Sequence, residues 1–141
     1  MGSIEGRCGI VNVNFNNMTA IDNRDFCFKC HRQEDASTKE GDVYTVNGIS
    51  FNKTYNTFVT FGSDGQWFTW NKDTKSRYKQ STKSLMPITA SCFSEDAMIL
   101  VHAHGEDWSL GAASAQKRQN IIRMFVRRCE KDDVFKAPKN K

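Results

Sequence analysis

The spacing between two similar strand signals constrains this chain more than any other feature. V-N-G-I-S-F at 46–51 sets Val46, Ile49 and Phe51 among small and polar residues, and I-T-A-S-C-F at 88–93 repeats that order 42 residues later. The offset persists downstream: Leu100 lies under Phe58, and H-G-E-D (104–107) lies under G-S-D-G (62–65). A period of about 40–45 residues with four strands per unit is the signature of WD-repeat propeller blades, which must stack on one another to bury their apolar faces.

The unit that begins at Val46 can be followed strand by strand. N-K-T-Y-N supplies a turn, T-F-V-T-F (57–61) a second strand, and G-S-D-G a tight hairpin in which two glycines are free to take positive φ around an Asp that bonds back to the backbone. Q-W-F-T-W (66–70) is the third strand, N-K-D-T-K-S turns again, and R-Y-K-Q makes a fourth, polar strand. Trp70 and Asn71 stand where the eponymous Trp-Asp of a repeat falls. Ahead of this unit, G-S-I-E-G-R (2–7) reads as a hairpin turn between strands, with C-G-I-V-N-V (8–13) and D-F-C-F-K-C (25–30) following. Near the other end, Ile121, Ile122, Phe125, Val126 and Cys129 fall at helical spacing, but the repeat order requires a strand at Ile121–Arg127 and takes precedence. The fold class is therefore all-β: the end of one blade at 1–42, a complete blade at 43–86, a last blade at 87–130 and a basic tail at 131–141.

A chain of 141 residues, 38% hydrophobic and 26% charged, has the size and composition of one globular domain. Its net charge of +4 is uneven, because Lys117 to Lys141 holds nine Lys/Arg against three acids. No apolar run is long enough to span a bilayer, and the first residues lack the blocks of a signal peptide, so the expectation is a soluble intracellular protein. Cysteines at 8, 27, 30, 92 and 129, odd in number and scattered, read as reduced thiols rather than a disulfide framework.

Cys27-Phe28-Lys29-Cys30-His31 spells C-x-x-C-H, the haem-attachment motif of c-type cytochromes. Along a strand, however, Phe26, Phe28 and Cys30 share one face while Cys27 and Lys29 point the other way, which separates the two thiols. Structural zinc wants four converging ligands, whereas Cys27, Cys30, His31 and the pair His102 and His104 offer no second C-x-x-C. Cys92, inside an apolar strand, reads as a small buried hydrophobe, and no base is specified beside any nucleophile. No catalytic residue, metal or cofactor is expected. I-E-G-R at 4–7 also spells a protease-cleavage linker.

G-S-I-E-G-R, F-C-F-K-C-H-R (26–32), V-Y-T-V-N-G-I-S-F (43–51), G-S-D-G-Q-W-F-T-W-N-K-D (62–73), P-I-T-A-S-C-F (87–93) and D-W-S-L-G (107–111) together resemble the WD-repeat mRNA export factor, the rae-one or gle-two family. The spindle-checkpoint paralogue of the Bub-three type shares G-S-I-E-G-R, F-K-C-H-R and the G-S-D-G blade, but W-N-K-D, P-I-T-A-S-C-F and D-W-S-L-G fit the export factor better. The resemblance implies a seven-bladed propeller of which this chain covers about two and a half later blades, with I-E-G-R native to a blade turn. It implies a non-enzymatic scaffold at the nuclear pore and nuclear envelope, also cytoplasmic. That scaffold binds the GLEBS segment of an FG nucleoporin and single-stranded RNA of messenger ribonucleoprotein. The checkpoint alternative implies GLEBS-like segments of checkpoint kinases, or microtubule-associated factors, as partners, and neither reading involves membrane insertion. In register, Asp42 replaces the His usual before a repeat's first strand.

Phe28 and Trp70 are aromatic, and Lys72, Lys75, Arg77 and Lys79 crowd the turn and strand after Trp70 with Asp73 among them. Aromatic faces stack on bases while cations track phosphates, so this composition suits single-stranded RNA, against the plainer reading that Trp70 is blade core and the lysines a solvated edge. The resemblance implies that Phe28, Trp70, Lys72, Lys75 and Arg77 form a side groove for RNA, with Arg and Lys exchanged at 75 and 77. It also implies that Arg7 is a top-face Arg that pairs with acidic residues of the GLEBS segment.

Overall fold

The computed structural model describes residues 1–13, 24–34, 37, 40–117 and 122–130. Among them, eleven strands form four antiparallel sheets, accompanied by one short helix, α1 (Ala112–Lys117). β1 (Arg7–Ile10) pairs with β2 (Phe26–Lys29). β3 (Arg32–Glu34) and β4 (Gly41–Val43) form a separate hairpin. β5 (Val46–Asn52), β6 (Thr57–Gly62), β7 (Trp67–Asn71) and β8 (Ser76–Gln80) make a four-stranded meander. β9 (Ile88–Phe93), β10 (Ile99–His104) and β11 (Arg123–Arg128) repeat its first three strands in the same order.

The sequence period is thus realised in space. β5 and β9 start 42 residues apart, as do β6 and β10. The four-stranded sheet lies between its neighbours like a blade in a propeller, and alternation along its strands sends side chains both ways. Val59, Phe61 and Trp67 meet Ile88, Leu100 and Cys129 of the following sheet. From the opposite face, Phe58 and Trp70 meet Cys8, Ile10, Cys30, Phe26 and Phe28 of the preceding one. Every residue of β6 is consequently buried, as expected of a strand covered on both faces.

Several details differ from the sequence reading. The strand expected over 8–13 occupies Arg7–Ile10, and the β3–β4 hairpin and α1 were not foreseen. The last strand begins at Arg123; Ile121 and the basic tail lie outside the described residues. In the G-S-D-G turn only Gly65 has positive φ (72°), where an added Cβ would fall 2.5 Å from the Ser84 carbonyl oxygen. Asp64 plays the anticipated part by accepting the Gln66 N–H at 3.1 Å. Cys92 is exposed rather than buried, because at the core-facing positions of β9 it is Ile88 that seals the cluster. No described helix is long and apolar enough to cross a membrane.

Candidate nucleic-acid interface

β2 and the β7–β8 hairpin meet along an aromatic row. Phe26 and Phe28 stack at 5.8 Å, Phe28 reaches Trp70 at 4.5 Å, and Trp70 lies 6.1 Å from Phe68. The row exists because Phe26 and Phe28 alternate with Cys27 and Lys29 on β2, and Phe68 and Trp70 alternate with Trp67 and Thr69 on β7. Both ends carry a cation: the Lys75 ammonium sits 5.0 Å above the Phe26 ring, and the Arg77 guanidinium 5.5 Å above that of Phe68.

A cleft of about 270 Å³ opens at the Arg77 end, lined by Trp70, Phe68, Lys29, Arg32 and Glu34 besides the buried Cys30 and His31. A second, of about 230 Å³, opens at the Lys75 end between Asn12, Arg24, Lys72 and Asp73. The turn carrying Lys72 and Lys75 is shaped locally. Asn71 Oδ1 accepts the N–H groups of Asp73 and Thr74, Lys72 N–H donates to the Asn56 carbonyl, and Lys75 takes a positive φ of 54°. Lys72 Nζ stays 3.9 Å from Asp73, leaving one carboxylate among the cations there.

All five residues expected in an RNA groove therefore lie along one seam: Trp70 and Arg77 line one cleft, Lys72 and Lys75 the other, and Phe28 belongs to the aromatic row that joins them. Sequence reasoning passed over Arg24, Lys29 and Arg32 at its margins; their signal, basic residues flanking F-C-F-K-C-H, was absorbed into the haem spelling.

Trp70 is also part of the core. Its Nε1–H donates to Thr60 Oγ1 at 2.9 Å, Thr60 lies 3.0 Å from His31 Nε2, and His31 Nδ1 lies 2.9 and 3.0 Å from the two Asp64 oxygens. Because indole only donates and carboxylate only accepts, the chain has one consistent neutral assignment: Trp70 to Thr60, Thr60 to His31, His31 to Asp64. This network corrects the expectation that the His before the blade's first strand is replaced by Asp42. His31 supplies it, displaced in sequence by the inserted β3–β4 hairpin. The same geometry answers the haem question, since both ring nitrogens of His31 are engaged, Cys27 is exposed and Cys30 is buried, its pKa pushed up to about 12 chiefly by desolvation. The described residues contain no group of three or more metal-ligating side chains.

Arg7 is exposed at the end of the G-S-I-E-G-R turn, where it stands opposite Lys29 in the β1–β2 register and is in neither cleft lining. Its N–H donates to Ser3 Oγ at 3.2 Å, and Arg32 braces the turn by donating to the Glu5 carbonyl at 2.7 Å.

The chain is 43% identical over 112 residues to a protein named mRNA export factor from Sus scrofa and 44% identical over the same length to that of Danio rerio. Its relatives are mRNA export factors. Protein RAE1 of Arabidopsis thaliana matches at 33% identity over 139 residues, 99% of this chain. The chain spans about a third of the length of these relatives: 30% of the vertebrate mRNA export factors and 37% of the plant protein. No family model matches it. The comparisons agree with the likeness carried by its motifs, and the stacked antiparallel sheets agree with WD-repeat blades.

Proposed function

We propose that this chain forms part of a non-enzymatic WD-repeat scaffold in mRNA export and that it contacts single-stranded RNA along the Phe28–Trp70 seam. The observation that carries this reading is the aromatic row with a cation at each end: it offers stacking surface beside a phosphate track, without the hydrogen-bond pattern that reads one base sequence. Lys72, Lys75 and Arg77 hold phosphates, while the half-buried Phe28 and Trp70 supply the stacking surface. Arg7, exposed on its braced turn, takes a carboxylate of an acidic partner segment, read here as the GLEBS segment of an FG nucleoporin. A role at the nuclear pore follows from that pairing, and the export role is supported by the names of the relatives.

The test uses Lys75→Ala and Arg77→Ala, which spare the core network, with single-stranded RNA affinity measured at two salt concentrations. Each lost phosphate contact lowers the salt slope by about 0.7 and weakens binding with little dependence on base sequence. Unchanged affinity and slope in both variants, with the thermal melt preserved, would remove RNA binding from the seam.

A further inference from the structure

A larger cleft, of about 610 Å³, opens on the opposite side of the four-stranded sheet, between β8 with the following connection and the outer part of β10–β11. Among the described residues its cationic lining consists of Lys79, Lys83 and Arg127, its aromatic and imidazole groups include Phe125, His102 and His104, and no described carboxylate lines it. None of these residues belongs to the seam of Phe28 and Trp70.

The register explains why one strand supplies both clefts. Arg77 and Lys79 are two apart and would share a face on a regular strand, but the pairing shifts between Thr69 and Trp70, so that Arg77 lies opposite Trp70 and Lys79 opposite Thr69. Arg77 thereby faces β2, and Lys79 faces the next sheet. Across the gap, Phe125 and Arg127 of β11 pair with His102 and Leu100 of β10 and share their face. Phe125 is 43% exposed and lies nearly parallel to His102, at 5.2 Å and 18°. The Arg127 guanidinium spreads over the Trp67 ring at 5.3 Å. His102 and His104 join through their ring nitrogens at 2.8 Å, and His104 reaches Ser84 Oγ at 2.9 Å.

We propose that this cleft is a second single-stranded nucleic-acid site, in which Lys79 and Arg127 hold successive phosphates and Phe125 stacks on a base. The chemistry favours a nucleic acid over an acidic peptide because a half-exposed ring backed by an imidazole stands beside cations and hydroxyls, and a peptide carboxylate has no use for that ring. Lys83, whose ammonium lies 3.1 Å from Gln33 Oε1, is a third cation of the lining. Burial, reinforced by His104 and Arg127, lowers His102 to about 4, so at neutral pH the imidazoles serve the site as uncharged surface rather than as further cations.

The experiment measures fluorescence anisotropy of a labelled oligouridylate on the 141-residue chain at several salt concentrations. The Lys79→Gln/Arg127→Gln double variant is expected to weaken binding about tenfold and to lower the salt slope by about 1.4, two contacts at ~0.7 each. Phe125→Ala is expected to weaken it about fivefold or more with the slope unchanged. Because Arg127 covers Trp67, Lys79→Glu is run as well, and photocrosslinking of a 4-thiouridine oligonucleotide to the unaltered protein maps the contact independently of any variant. Crosslinks at Phe125 or His102 support the site. Crosslinks confined to Phe26, Phe28 and Trp70, or affinity for the oligouridylate unchanged in folded Lys79→Glu, would each overturn it. Lys75→Gln/Arg77→Gln in parallel separates the two clefts: a loss there alone leaves the first seam standing and this one refuted, and a loss only in the Lys79 and Arg127 variants does the reverse.

Discussion

Thr60 is the residue on which the central sheet turns. Fully buried on β6, its hydroxyl accepts from Trp70 and donates to His31, so one oxygen joins three side chains from β2's end, β6 and β7. Thr60→Val keeps the shape and removes that oxygen, leaving the indole N–H and an imidazole nitrogen unsatisfied in the core. Chemical denaturation should show a loss of about 1–3 kcal/mol for each stranded group, with the m-value unchanged. The same network decides how Trp70 is to be tested. Trp70→Ala opens a cavity costing on the order of 3–5 kcal/mol, so reduced RNA binding in that variant would report lost folding as much as lost stacking. Lys75 and Arg77, which cap rings from outside, are the informative positions.

At the scale of the element, the irregularities of the four-stranded sheet matter as much as its regular pairs. The shift between Val46 and Gly48 on β5 brings Gly48 against the Phe61 ring so closely that a Cβ would lie 2.1 Å from its Cζ. Gly48→Ala must push Phe61 out of the cluster it shares with Trp67, Ile88 and Leu100. A loss of about 1–3 kcal/mol is expected, and Gly48→Ala combined with Phe61→Leu should recover part of it, which thermal melts of Gly48→Ala, Phe61→Leu and the double variant will show. Strand existence and order were legible in the sequence because turn residues and period-two alternation are local signals. The shift at Thr69/Trp70, which gives Arg77 and Lys79 opposite faces, carries no local signal: it is set by pairing with β7, and the spacing of two reads as one face.

At the scale of the molecule, adjacent sheets are clasped by polar groups at one end as well as by apolar clusters between them. Asp107, in the connection after β10, accepts from Asn47 Nδ2 at 3.0 Å and from the Ser63 hydroxyl, while Asn47 also donates to the Ile88 carbonyl at 2.9 Å. Burial by itself would raise the Asp107 carboxyl, but hydrogen bonds from Ser63, Asn47 and Ser109 outweigh it and hold the pKa below the ordinary 3.8. A depressed carboxylate contributes stability that is present above its unfolded pKa and lost as pH falls through the folded one, so this clasp is intact at neutrality, begins to weaken below about pH 4 and is lost through the lower folded pKa. Asp107→Ala should cost about 1–3 kcal/mol at pH 7, that cost should shrink as pH is lowered below about 4, and hydrogen exchange should show β9 and β10 loosening together.

The sequence by itself determined the all-β class, the 42-residue unit and the position of nearly every strand in the central sheet, because each rests on alternation and turn chemistry within a few residues. It also placed Phe28, Trp70, Lys72, Lys75 and Arg77 together as candidates, through the spacing of aromatic and basic residues and the likeness to the export factor. Only the tertiary structure decided what His31 does. Next to Cys30 it spells a haem motif, and its partners Thr60 and Asp64 lie 29 and 33 residues away on a different sheet. Burial of Cys30 and exposure of Cys27 and Cys92 likewise depend on which face of a strand is covered by the neighbouring sheet, a property of blade stacking that no window of sequence contains.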